Sequence, residues 1–180
     1  MKRAKWLGSK GLDWIVPTVL GALLVWVAQI DNTLTTDVSV DASRFPFAHS
    51  GVRLGTGDHV TVEVIPEYSD LWTCGPAPTT ADGYQDQRRA EFVRPDAPLC
   101  MLVGYVAGDD PGEQAIAYFP IGSRRSWDAD RAGVLYLGAN DDPNGCGQLA
   151  TCHAVNARKI VIRIEVRKPW LDLPLLGQFR

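Results

Sequence analysis

Histidine and cysteine are scarce in this chain of 180 residues, with three of the first and four of the second. No two cysteines stand in C-x-x-C spacing and no histidine partners them at ligand spacing, which argues against structural zinc. His49, His59 and His153 lie in unrelated contexts and no G-x-S-x-G elbow occurs, so no nucleophile constellation is present. The carboxylates of Asp109-Asp110 and of Asp128 and Asp130 fall in turn-rich stretches, where Asp serves its own backbone. Gly55-Thr56-Gly57 has no third glycine or helix start behind it and reads as a hairpin turn rather than a phosphate loop. A basic stripe with interleaved aromatics is also missing. Acids and bases are mixed along the chain at a net charge of −3, so a nucleic-acid partner is not expected.

What the chain does have is a long apolar run. Trp14 to Ile30 reads WIVPTVLGALLVWVAQI, uncharged and bounded by Asp13 and Asp31. As a helix it covers roughly 25 Å, nearly a bilayer core, with Trp6 and Trp14 as interfacial anchors. Lys2, Arg3, Lys5 and Lys10 precede it, which places the N-terminus in the cytoplasm and the remainder outside. The rival is a cleaved secretory signal. Against it stand the length of the run and the absence of a small-x-small cleavage site.

Beyond residue 31 the pattern is β. In His59–Val64 the valines at 60, 62 and 64 share one face, and in Lys159–Arg167 the apolar residues Ile160, Ile162, Ile164 and Val166 do the same. Cys100–Ala107, Ala115–Ile121 and Gly133–Leu137 are shorter strand candidates between Gly, Pro and Asp clusters. Residues 31–48 read as a linker or a first edge strand. Short strands without intervening helices predict an all-β antiparallel sandwich behind one N-terminal transmembrane helix.

The irregular stretch from Trp72 to Ala97 is long for a compact domain and has a cysteine near either end. Four cysteines outside the cytoplasm favour disulfides. Of three connectivities, nearest-neighbour pairing, Cys74 with Cys100 and Cys146 with Cys152, is the simplest. The tail PWLDLPLLGQFR carries Trp170, Leu171, Leu173, Leu175, Leu176 and Phe179. It either packs on its own sandwich or docks on a partner or the bilayer surface. Asn140-Asp141-Asp142-Pro143-Asn144-Gly145 places oxygen ligands at alternate positions as a calcium loop begins, yet Thr151 stands at the twelfth position, and a strand-ending turn explains the same residues.

The order of these signals resembles the PA-IL-like bacterial galactose lectin family. The resemblance is carried by Ser50-Gly51-Val52-Arg53-Leu54, Gly55–Val62, Trp72-Thr73-Cys74-Gly75-Pro76, Met101–Gly104, Phe119–Gly122 and Gly133–Asp141, and it spans residues 49–167. It implies a small jelly roll that binds calcium and sugar together at one end. Asp141 matches a calcium ligand and Asn156 is retained from a following Asn-Asn-Ser-Gly, whose first residue here is Val155. Arg94-Pro95-Asp96-Ala97 matches the sugar-contacting string, keeping Pro and Asp, so Arg94 and Asp96 are the implied sugar contacts of a degraded site.

The expected organisation is a basic cytoplasmic head over 1–13, a transmembrane helix over 14–30, a linker over 31–48, a lectin-like sandwich over 49–168 and an apolar tail over 169–180. The expected protein is a non-catalytic, single-pass protein of the bacterial inner membrane with a periplasmic domain. It would serve as an accessory or stabilising subunit of a larger membrane assembly, its partners the bilayer and other subunits, with the six apolar tail residues as the contact surface. The alternative is a calcium-dependent carbohydrate binder acting through Asp96, Asp141 and Asn156.

Overall fold

The computed structural model describes residues 32–42, 47–69, 71–74, 77–108, 116–143 and 158–169. The chain divides into a unit Met1–Asn32 and a unit Thr33–Arg180. Within the second, eight strands are described: β1 (Thr33–Asp41), β2 (Ala48–Leu54), β3 (His59–Val64), β4 (Leu102–Ala107), β5 (Phe119–Pro120), β6 (Arg124–Asp128), β7 (Gly133–Ala139) and β8 (Lys159–Arg167). They form two antiparallel sheets, ordered β1-β8-β3-β6 and β2-β7-β4-β5.

Alternation decides which side of each strand is buried. In β8 the four apolar residues at 160, 162, 164 and 166 are buried while Lys159, Arg163, Glu165 and Arg167 are exposed. Val40, Val60 and Val62 join them from the first sheet, and Val52, Leu54, Leu102, Leu135 and Leu137 oppose them from the second, giving one continuous core. The expected β-sandwich is therefore present. The membrane-spanning expectation falls on Trp14–Ile30, outside the described residues; among the described residues no helix is long and apolar enough to cross a membrane.

Several boundaries differ from expectation. The stretch over 31–48, read as a linker or a first edge strand, contains β1, which pairs along its whole length with β8 at the margin of its sheet, so the edge-strand alternative holds and the sandwich begins at Thr33 rather than at 49. β6 (RRSWD) has no apolar run to announce it. Its inward positions are Arg125 and Trp127, and the guanidinium of Arg125 lies 5.5 Å over the Phe119 ring while bonding the Pro120 carbonyl. The strand expected over Ala115–Ile121 is reduced to Phe119–Pro120.

β2 carries a bulge: its pairing with β7 shifts register between His49 and Arg53. Gly51 supplies the left-handed backbone the bulge needs, at φ 78°. The buried Ser50 hydroxyl bridges the gap, donating to the Leu135 carbonyl at 2.6 Å and accepting from the Val52 N–H at 3.1 Å.

The registers sort the sandwich into two poles. Thr33 pairs with Arg167 and Arg167 with His59, so the chain comes in and β8 ends at one pole. The connection from β3 to β4, the end of β7 and the start of β8 all lie at the other.

Candidate functional site

At that second pole the loop over 65–101 is built around three fixed points. Trp72 is fully buried, and its indole N–H donates to the Thr80 carbonyl at 3.1 Å. Cys74 and Cys100 form a disulfide, as expected, with Cα atoms 5.4 Å apart; Cys146 and Cys152 lie outside the described residues. The third point is Asn140, immediately after β7 and fully buried. Its side-chain NH₂ lies 3.0, 2.9 and 3.0 Å from the carbonyls of Arg94, Ala97 and Pro98, and its side-chain oxygen accepts the Arg94 N–H at 3.0 Å. Its backbone carbonyl takes the Cys100 N–H, and its own N–H donates to Met101. A single amide thus holds the loop over 94–98 against the end of the second sheet.

This bracket brings together three of the four residues expected at the site. Val93, next to Arg94, donates its N–H to the Asp141 carbonyl at 3.1 Å. The Nη2 of Arg94 donates to Asp96 Oδ2 at 2.8 Å, with Nε against the other carboxylate oxygen, and Nη1 reaches the Tyr118 carbonyl at 3.3 Å. The side chains of Arg94 and Asp96 remain 39% and 66% exposed, so the pair is open to a ligand. Asn156, the fourth, lies outside the described residues.

The described residues do not fit a hard cation. Calcium wants six to eight oxygens. Here Asp96 is already matched by a guanidinium, and Asp141 Oδ1 accepts the Asp142 N–H at 2.8 Å. Asn140, at the first position of the calcium-loop-like string, spends its side-chain amide on the 94–98 loop. Among the described residues no group of three or more His, Cys, Asp or Glu is placed to hold a metal.

Two features beside this loop escape sequence reading. On the outer face of the second sheet, Tyr105 and Tyr136 are register partners with rings stacked at 4.9 Å. Tyr118 stacks on Phe47 at 5.3 Å and meets Tyr105 edge-on at 5.4 Å, while His49 meets Tyr136 at 5.1 Å. Phe47 lies flush with the sheet because Gly138 beneath it has no side chain; a Cβ there would stand 2.4 Å from the ring. Burial raises the phenol pKa of Tyr105 and Tyr118 above the usual value. Each of the two strands carries a single outward tyrosine, so the cluster becomes readable only once the strands are paired.

The outer face of the first sheet is the opposite. Arg163 holds Asp37 through two bonds of 3.0 and 3.1 Å, Arg124 approaches Glu63 at 3.4 Å, and Thr61 and Ser126 share a 2.8 Å hydrogen bond. His59 Nδ1 lies 2.7 Å from Asp128 on this same open face. With Ser126 committed to Thr61, the three do not form a nucleophile relay.

No family model matches the chain, and no curated protein matches it. Among solved structures it is similar to one described as "EclA N-terminal domain; PllA-like lectin", at 19% identity and a TM-score of 0.50, over 76% of this chain and 98% of that one. The fold is lectin-like. The lectin-like sandwich accommodates nearly the whole of that neighbour, so the two-sheet architecture, rather than any local motif, carries the likeness.

Proposed function

We propose that this chain is a non-catalytic carbohydrate-binding protein, tethered by its N-terminal apolar segment. The observation that carries the reading is the likeness of the sandwich to a PllA-like lectin across 98% of that structure. The exposure of the Arg94–Asp96 pair supports it. Asn140 fixes this loop to the end of β7 at one pole of the sandwich.

An arginine–aspartate pair held by a buried amide suits hydroxyl recognition, because it offers planar donors beside a carboxylate acceptor with little freedom left to lose on binding. The expectation of an accessory subunit rests on the tail over 169–180, of which only Pro169 is described.

The test is retention of the full-length protein, in mild detergent, on arrays of neutral and acidic glycans. Retention on a defined glycan class, lost on Arg94→Ala with the melting temperature kept, is the expected result. A folded protein that no glycan retains overturns the proposal.

A further inference from the structure

The geometry points to a metal-independent site for a neutral oligosaccharide, formed where the Arg94–Asp96 pair meets the aromatic shelf of Tyr118, Phe47 and Tyr105. This rests on the carbohydrate-binding reading above and says which part of the surface does the binding.

The two parts are physically joined. Arg94 Nη1 bonds the carbonyl of Tyr118, the residue whose ring begins the shelf by stacking on Phe47 and meeting Tyr105. All three rings are only partly buried. Sugar rings present hydroxyls at their rims and C–H groups on their faces. A paired guanidinium and carboxylate beside an apolar aromatic wall answers both, the wall by burying C–H surface and the pair by bonding hydroxyls.

Charge selects the neutral class, because Asp96 already offsets the Arg94 guanidinium and the pair offers an anionic sugar no unmatched cation. The same pair removes the need for a metal: positive charge stands beside Asp96 as part of the chain itself. The contrast between the faces also favours the second sheet. On the first, Arg124 is paired with Glu63 and Arg163 with Asp37, whereas the second exposes rings together with polar groups. The shelf has length, because Tyr136 and His49 extend it along paired strands, and this suits more than one sugar residue.

The experiment uses full-length protein and a printed panel of neutral hexose oligosaccharides, read with and without excess chelator. Binding should be unchanged by the chelator. Tyr118→Leu and Tyr105→Leu should each weaken it by roughly tenfold, the upper end of one aromatic contact. Arg94→Lys, which keeps the charge but not the fork, should weaken it at least as much. If Tyr118→Leu fails to fold, Tyr118→Phe keeps the stack and removes only the hydroxyl, and should still lower affinity measurably. Binding abolished by the chelator, or indifferent to the tyrosine variants, overturns this site while leaving the carbohydrate reading intact. Failure of the wild-type protein to bind any glycan overturns both.

Discussion

The ammonium of Lys168 lies 2.6 Å from the carboxylate of Asp58, which is wholly buried while the lysine side chain is 41% exposed. The same Asp58 oxygen accepts the Gly55 N–H at 2.7 Å, so one carboxylate ties the turn before β3 to the residue that follows β8. Lys168→Met leaves that charge buried without its counter-ion. Urea denaturation should show a loss of about 1–3 kcal/mol, less than for a fully buried pair because the lysine is partly solvated. Asp58→Asn combined with Lys168→Met should recover part of it. Equal stability of the single variant and the wild type would show that water screens the pair completely.

Asn140→Ala should destabilise the sandwich by about 1–3 kcal/mol, the cost of stranding buried carbonyls. Asn140→Asp should be worse, since a carboxylate has no donor to offer the carbonyls of Arg94, Ala97 and Pro98. Glycan affinity should fall in both, because the 94–98 loop loses its mount. A binding curve unchanged in a folded Asn140→Asp protein would separate the loop from the ligand.

Tyr105 and Tyr118 link stability to alkaline pH. Burial raises both phenol pKa values above the unfolded value of 10.0, so the folded state holds these protons more tightly than the unfolded chain. Their contribution is complete below 10.0, the unfolded value, and disappears as pH rises through the folded pKa values. Melting temperature should therefore fall above that point. Tyr105→Phe with Tyr118→Phe should flatten the decline, and a decline of the same steepness would assign it to other groups.

The tail over 169–180 begins where β8 ends, and Arg167 is the register partner of Thr33, the first sandwich residue after the apolar N-terminal unit. If the tail contacts a partner or the bilayer surface, deleting residues 170–180 should leave the denaturation midpoint of the sandwich unchanged. It should also weaken co-sedimentation with vesicles, or co-purification with a membrane partner. Burying one large apolar side chain is worth about 1.5–3 kcal/mol, so the change should be plain. A lowered midpoint would place the tail in the core of the sandwich itself.

What sequence alone revealed follows from where burial is one-sided. β3 and β8 were legible because each buries one face, so apolar residues alternate without a break. β6 was not, because its inward Arg125 hides a charged head on Phe119 and Pro120 that no hydropathy pattern shows. Cys74 and Cys100 could be paired because a long irregular loop between two cysteines gains most from a crosslink. Nothing in the sequence marks Asp58 as buried, since its partner Lys168 stands 110 positions away. Arg94, Asp96 and Asp141 emerged through resemblance, but the string holding Asn140 read as a strand-ending turn or the front of a calcium loop, and neither reading showed its amide as the mount of the 94–98 loop. The aromatic shelf joins residues from four separate stretches, and only strand register assembles it.

The bulge in β2 has a consequence for how copies of this protein behave in a crowd. β2 lies at one margin of its sheet, and a straight strand there would be a template on which a second molecule could add its own backbone. The shifted register between His49 and Arg53 breaks the row of amides and carbonyls, and at the opposite margin β5 is two residues long and ends in proline. The sheet with the sticky outer rings is thus also the one with blunted rims. Among the described residues, that sheet therefore offers a neighbouring molecule little unbroken backbone on which to add a strand.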